Sequence, residues 1–123
     1  MSARKLFILF VVLALAATVI AACGGGGGSP SSGSTATVSA SDDLKFTPNV
    51  INATAGQAVK VTVKNTGKTD HTFVVKDLKI NVQVPAGKDT DVTFTAPAAG
   101  TYTFECDLPG HKEAGMVGSI VVK

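Results

Sequence analysis

The sequence predicts an all-β domain, a Greek-key β-sandwich of seven or eight strands, and three observations lead to this. Short apolar runs recur between residues 36 and 123, clusters of turn residues separate them, and no segment keeps helical periodicity over three turns. Short strands at regular spacing are typical of two packed antiparallel sheets. A stretch of this length is sufficient for one hydrophobic core.

The individual strands are predicted from alternation of apolar and polar residues and from short β-branched runs. In the clearest case, Val59, Val61 and Val63 alternate with polar residues, which places the three valines on one buried face. Turns follow at Asn65-Thr66-Gly67 and at Pro85-Ala86-Gly87. The expected strands are 37–40, 49–53, 58–65, 71–75, 80–84, 91–95, 101–106 and 117–122.

The loop that follows strand 101–106 carries three side chains that bind metals. Four residues separate Cys106 from His111, and four separate His111 from Met116. A thiolate and a thioether are soft ligands and imidazole is intermediate, so the set suits copper. Two histidines and a cysteine with a weak axial methionine form a blue copper site, and this loop lacks only one of the histidines.

The second histidine ligand has one possible source, because the chain contains two histidines. His71 begins an apolar run, His71-Thr72-Phe73-Val74-Val75, and therefore starts a strand. In a β-sandwich, a strand can meet a loop that joins two other strands at the same end of the domain. We therefore expect His71, Cys106, His111 and Met116 to bind one copper ion that alternates between Cu(I) and Cu(II).

The pattern from Cys106 to Met116, C-x-x-P-G-H followed by four residues and Met, resembles the copper loop of the cupredoxins, the small type 1 blue copper proteins. Its Pro-Gly-His ending is similar to that of azurin and plantacyanin, and its full spacing is similar to that of auracyanin and plantacyanin. Residues 44–48, 59–65 and 100–106 also resemble the family's frame. The resemblance covers roughly residues 36–123 and supports the copper assignment.

Residues that border the copper ligands also receive expected roles. The Leu108 amide is predicted to donate to the Cys106 sulfur, because Pro109 has no N–H to offer. The resemblance implies that the backbone carbonyl of Asp70 approaches the copper axially. Thr72 stands where many family members carry Asn after the first ligand histidine, so it is expected to border the site.

The resemblance also implies a surface at which redox partners dock. In the family, the histidine that corresponds to His111 faces solvent within an apolar patch. Leu108, Pro109 and Ala114 are the apolar neighbours of His111 in this chain. Contacts of this kind are small and transient, typically below about 1,200 Å². We expect a monomer that meets an electron donor and an electron acceptor in turn.

The N-terminal segment has the features of an export signal. Arg4 and Lys5 precede the uncharged apolar run 6–22, and Ile20-Ala21-Ala22-Cys23 resembles the lipobox of bacterial lipoproteins. Residues 1–22 are therefore predicted to be a signal peptide, and Cys23 a lipidated residue. The alternative is an uncleaved membrane anchor, for which the run is short. Both place the domain on the periplasmic or extracellular side of a cell membrane.

Composition constrains the linker and the partners. Residues 23–35 are rich in Gly and Ser and are expected to form a flexible tether between the lipid and the domain 36–123. The chain has 11 Lys+Arg and 9 Asp+Glu, and loss of Arg4 and Lys5 with the signal leaves a net charge near zero. Nucleic-acid binding is not expected, since it needs a basic surface to neutralise phosphates.

Four functions are compatible with the ligand set to different extents. An electron carrier fits a site of tuned potential, while copper storage or delivery would favour a site richer in Met or His. An enzyme with further coppers would need further histidines, so no catalytic residue is predicted. The last possibility is an adhesion module without copper, in which Cys106 is an inert thiol or pairs with Cys23.

Overall fold

The computed structural model describes residues 33–123, which form nine β-strands and one short 3₁₀ turn. The all-β prediction is confirmed. The predicted signal, the lipobox and most of the tether lie outside the described residues. Between residues 33 and 123 no helix is long and apolar enough to span a membrane. The strands are β1 Ser34–Ser41, β2 Lys45–Thr47, β3 Val50–Ala53, β4 Ala58–Asn65, β5 His71–Val75, β6 Ile80–Val84, β7 Asp89–Thr95, β8 Gly100–Glu105 and β9 Val117–Val122, and the 3₁₀ turn is Lys76–Leu78.

The strands form two sheets that enclose the core. One sheet has the order β2-β1-β4-β7 and the other the order β3-β9-β8-β5-β6. The additional strand, relative to the eight predicted, is β2, which pairs antiparallel with β1. Its three residues are too short to show an alternating pattern. Strand β1 begins at Ser34, within the segment expected to be tether.

The core consists of the inward faces of both sheets. Val59, Val61 and Val63 are fully buried, as their alternation predicts. Three phenylalanines fill the space between the sheets, with the ring centroids of Phe46 and Phe104 5.2 Å apart and those of Phe73 and Phe104 5.0 Å apart. Aromatic rings at this separation attract one another beyond their burial. The cluster therefore fixes β5 and β8, which carry Phe73 and Phe104.

The sheet topology places the candidate metal-binding residues at one end of the domain. Strands β5 and β8 are antiparallel neighbours, with Val74 opposite Glu105, so the first residue of β5 lies near the last residue of β8. His71 is that first residue, and Cys106 follows β8 directly. Strands β8 and β9 are also antiparallel. The loop between them therefore returns to the same end, with Met116 just before β9.

Candidate metal centre

Three metal-binding side chains converge in the folded domain. The ligand atoms of His71, Cys106 and His111 all lie within 4.8 Å of one another. His71 Nδ1 is 3.2 Å from His111 Nδ1, and Cys106 Sγ is 3.4 Å from His111 Nδ1. His71 and Cys106 are fully buried, while His111 is half-buried. These residues were predicted to lie together, and in the fold they are close enough to hold one metal ion.

Backbone hydrogen bonds fasten the ligand loop, defined here as residues 106–116, at both ends. The Cys106 N–H donates to the Met116 carbonyl at 3.1 Å, and the Met116 N–H donates to the His111 carbonyl at 3.1 Å. Gly110 and Gly115 have φ values of 83° and 101°, which residues with a side chain rarely adopt. The loop thereby holds the fully buried Met116 against the two residues that precede it in the ligand set.

Thr72 contacts both the candidate ligand sulfur and the ligand loop. Its N–H donates to Cys106 Sγ at 3.3 Å. Its hydroxyl lies 3.6 Å from that sulfur and 2.6 Å from Asp107 Oδ1. A hydroxyl has one proton to donate, and the shorter contact to the carboxylate favours Asp107 as its acceptor. The expectation that Thr72 borders the site agrees with this geometry.

The structure also gives the backbone and side-chain contacts of Leu108 and Asp70, for which roles beside the metal were predicted. The Thr72 amide donates to Cys106 Sγ, because Thr72 lies on β5 beside the end of β8, and a bond from the Leu108 amide to this sulfur stays a prediction. The Leu108 carbonyl accepts from the His111 N–H at 3.0 Å in a tight turn. The Asp70 carboxylate accepts from the Ala86 N–H at 2.9 Å, and an axial role for the Asp70 carbonyl stays a prediction.

The residues expected to form the docking surface lie at or near the surface. Pro109 and Ala114 are exposed, and Leu108 and His111 are half-buried. Leu108 also packs against the hydrophobic core. His111 therefore combines contact with the buried Cys106 sulfur and access to solvent, which is the position that an electron exit would need.

The electrostatics of His71 suit a neutral ligand. Burial lowers the pKa of His71 from its ordinary value of 6.5, and the charge of His111 acts in the same direction. Asp42, the Ser41 backbone carbonyl and Asp70 oppose the shift. The buried Nε2 of His71 forms no hydrogen bond of standard geometry. A neutral imidazole with Nδ1 directed at the cluster can bind a metal without first losing a proton.

Glu105 is a residue near the site whose role the alternating pattern did not reveal. The pattern of β8 places it outward beside Thr103, yet it is only 4% exposed. Lys112 Nζ lies 2.7 Å from its Oε2, and Lys76 Nζ lies 2.5 Å from its Oε1. The hydrogen bonds from Lys112 and then Lys76 hold the pKa of Glu105 below its ordinary value of 4.5. The carboxylate is thus buried in its charged form.

The chemistry of the donor set fits copper. Two imidazole nitrogens and one thiol sulfur, with a buried thioether on the same loop, form an arrangement suited to a type 1 copper ion. Hard cations prefer oxygen ligands, and carboxylate oxygens do not contribute to this cluster of His71, Cys106 and His111. The donor set therefore favours a transition metal such as copper over a hard cation.

Comparisons with known proteins agree with this geometry. The family described as Cupredoxin-like domain matches residues 6–122. The copper-resistant cuproprotein CopI of Rubrivivax gelatinosus is 32% identical over 109 residues, which are 72% of this chain and 66% of that protein. Auracyanin-B of Chloroflexus aurantiacus is 51% identical over 37 residues, which are 30% of this chain and 16% of that protein.

Solved structures extend the likeness to the fold. The crystal structure of dithionite-reduced auracyanin from Roseiflexus castenholzii aligns with a TM-score of 0.67 and 25% identity, over 73% of this chain and 97% of the other. Cupredoxin homologues bind one copper ion, and His71, Cys106, His111 and Met116 provide the corresponding arrangement. The chain belongs to the cupredoxin family.

Proposed function

We propose that this protein carries single electrons between redox partners outside the cytoplasm, with one type 1 copper ion as its cofactor. The observation that supports the proposal is the convergence of the His71 and His111 Nδ1 atoms with the Cys106 sulfur in a cluster no wider than 4.8 Å. Two imidazoles and a thiolate brought together by one strand and the ligand loop are the donor set of a blue copper site.

Each candidate ligand has a distinct role. Cys106 would provide a strong thiolate ligand, His71 and His111 would provide imidazole nitrogens, and the Met116 thioether would be a weak ligand that helps set the reduction potential. A bound copper ion supplies one-electron chemistry by alternating between Cu(II) and Cu(I). The protein holds its ligands in place through the Thr72 bond to Cys106 Sγ and the backbone bonds of the ligand loop. Such preorganisation reduces the rearrangement that electron transfer requires.

The half-buried His111 is the proposed exit for the electron. It lies among the apolar residues Leu108, Pro109 and Ala114, two of which are exposed. A small apolar patch favours short-lived contacts, typically below about 1,200 Å². Because the net charge after signal removal is near zero, the protein would exert little long-range steering on its donor or acceptor.

Membrane attachment through Cys23 is part of the same proposal. The apolar run 6–22 and the small residues before Cys23 support an exported lipoprotein. A Gly/Ser-rich tether between Cys23 and the domain would permit the domain to rotate and meet more than one partner. Globomycin-sensitive processing and mass spectrometry of the mature N-terminus would test lipidation, and an unmodified or uncleaved N-terminus would exclude it.

A second candidate function, copper storage or delivery, is favoured by one specific observation. The relative of Rubrivivax gelatinosus is named a copper-resistant cuproprotein, and the chain spans 66% of its length and 62% of the length of its Vibrio cholerae counterpart. A role in copper handling would require an ion that leaves the site readily. The two functions therefore differ in the rate of copper loss.

The first experiment tests the copper site itself. Purified protein receives one equivalent of Cu(II), and its visible absorption is compared with that of the Cys106→Ser variant. We expect an intense blue band that ascorbate bleaches and that the variant lacks, because the colour arises from the copper–thiolate bond. A colourless wild-type protein would overturn the proposal.

The second experiment separates electron transfer from copper delivery. The Cu(I) protein is mixed with a Cu(I) chelator in one sample and with an oxidised small redox protein in another. An electron carrier reoxidises rapidly and loses copper slowly, whereas a delivery protein transfers its ion to the chelator and exchanges electrons slowly. The ratio of the two rates decides between the functions.

A further inference from the structure

The charged cluster around Glu105 adjoins the candidate ligands in the chain but is not part of the metal cluster of His71, Cys106 and His111. Glu105 precedes Cys106, and its side chain is 6% exposed, although it belongs to the outward face of β8. A buried carboxylate is strongly unfavourable unless charged or polar partners compensate for its lost hydration. Glu105 therefore needs charged partners nearby, and the segments that supply these partners indicate the role of the cluster.

The two partners of Glu105 come from different segments. Lys112 belongs to the ligand loop and follows His111, and its Nζ lies 2.7 Å from Glu105 Oε2. Lys76 begins the 3₁₀ turn after β5, and its Nζ lies 2.5 Å from Oε1. Among the ion pairs of residues 33–123, Glu105–Lys112 is the one that connects a strand to the ligand loop.

The Glu105–Lys112 ion pair adds a contact between the ligand loop and β8 to the backbone bonds within the loop. These backbone bonds, including those from the Ala114 N–H to Gly110 and from the Gly115 N–H to Lys112, join residues of the loop to one another. Lys112, Glu113 and Ala114 are exposed. The side chain of His111 is the half-buried member of the metal cluster. A bond from the residue after His111 to a buried carboxylate on β8 restricts the local opening of this segment, because opening would leave that charge less compensated.

We propose that Glu105 is a positioning residue that acts through Lys112, clamping the ligand loop to β8 so that His111 is in place before the metal binds. Lys76 shares the same carboxylate but belongs to a turn outside the ligand loop. It compensates the charge of Glu105 without holding the loop. The effect of the clamp on copper binding rests on the proposed function, whereas the clamp itself is a property of the metal-free protein.

The two lysines provide a matched pair of variants. Lys112→Gln and Lys76→Gln remove the same charge from the same carboxylate, and both lysine side chains are largely exposed, at 49% and 67%. Amide hydrogen exchange of the metal-free, full-length protein is measured for residues 111–116. We expect exchange in the loop to accelerate about tenfold in Lys112→Gln and less than about twofold in Lys76→Gln.

Two further variants test the clamp itself. Lys112→Arg keeps the positive charge and should retain slow exchange, because a guanidinium also pairs with a carboxylate. Glu105→Gln removes the charge that Lys112 contacts. In the Glu105→Gln background, adding Lys112→Gln should therefore change loop exchange very little, because the effects of two interacting residues are not additive. Equal exchange in the wild type and Lys112→Gln, or equal acceleration by the two lysine variants, would overturn the inference.

A metal readout distinguishes positioning from electrostatics. A purely electrostatic role of the cluster would shift the reduction potential similarly in both lysine variants and leave the rate of Cu(I) loss unchanged. Positioning predicts faster Cu(I) loss in Lys112→Gln alone. If wild-type protein binds no copper, the proposed function fails while the exchange result still decides the inference; if it binds copper and both variants lose it equally slowly, the inference fails alone.

Discussion

Thr72 and Asp107 form a reciprocal pair of hydrogen bonds. The Thr72 hydroxyl donates to Asp107 Oδ1 at 2.6 Å, and the Asp107 N–H donates to Thr72 Oγ1 at 2.9 Å. Thr72 follows His71, and Asp107 follows Cys106, so the pair joins the residues directly after two candidate ligands. One hydroxyl group thus holds the start of the ligand loop against β5.

Replacing Thr72 with valine should destabilise the metal-free protein. Valine has a similar shape but no hydroxyl, so the Asp107 N–H loses its acceptor at a residue that is 1% exposed. We expect the free energy of unfolding to fall by about 1–3 kcal/mol, measured by urea denaturation. Thr72→Ser is the control and should lose less, because it keeps the hydroxyl. A Thr72→Val variant as stable as the wild type would contradict a stabilising role for the hydroxyl.

Replacing Met116 with leucine should raise the reduction potential. A thioether donates weakly to copper and favours Cu(II), and leucine removes that donor. The exchange nearly conserves volume at a fully buried position, so it should cost less than about 1.5 kcal/mol in stability. A redox titration against wild type measures the change. The blue colour should persist, and an unchanged or lower potential would contradict an axial role for Met116.

Replacing Gly118 with alanine should destabilise the junction between β9 and the core. A Cβ atom at Gly118 would lie 2.6 Å from the Asn49 carbonyl oxygen and would overlap the Phe104 ring. Overpacking of this kind costs about 1–3 kcal/mol, which thermal or urea unfolding would detect. The neighbouring Ser119→Ala substitution, at a half-buried position, should change stability by less than about 0.5 kcal/mol. A neutral Gly118→Ala result would refute the close packing.

Asp42 should contribute stability that depends on pH. Its carboxylate accepts from the backbone N–H groups of Lys68 and Thr69, which lowers its pKa from the ordinary value of 3.8. Because the folded pKa is the lower one, the contribution is present above pH 3.8 and is lost as pH falls through the folded value. These bonds fix the loop that precedes His71.

The matching measurement compares wild type with Asp42→Asn. Unfolding in urea is followed from about pH 6 to about pH 3. The wild-type advantage should be constant at the upper end of this range and shrink toward the acid end. Asp43→Asn is the control, because Asp43 is an exposed neighbour. A difference that grows toward acid pH would contradict the assignment.

The candidate ligands could be predicted because their chemistry is rare in this chain. With two histidines in the whole sequence, any site with Cys106 and Met116 had to use both. Most strands could also be predicted. For example, Val59, Val61 and Val63 alternate with polar residues as a half-buried strand requires. These features depend on residue type and short-range spacing, which a sequence displays directly.

Features that depend on contacts between distant segments could not be predicted in the same way. Alternation places Glu105 outward, but Lys76 and Lys112 cover it from a turn and a loop. The Thr72 amide reaches Cys106 Sγ because of the register of β5 against β8, which the sequence does not display. Strand β2 is defined only by its pairing with β1.

The direction of β1 determines which end of the domain an N-terminal anchor would join. Ser34 lines a recess with Asn52 and Lys123 at one end, and Ser41, at the other end of β1, lies beside His71. Eight residues of strand cover roughly 25 Å. A tether from Cys23 would therefore join the domain at the end opposite the metal centre, and anchoring would leave His111 uncovered for its partners.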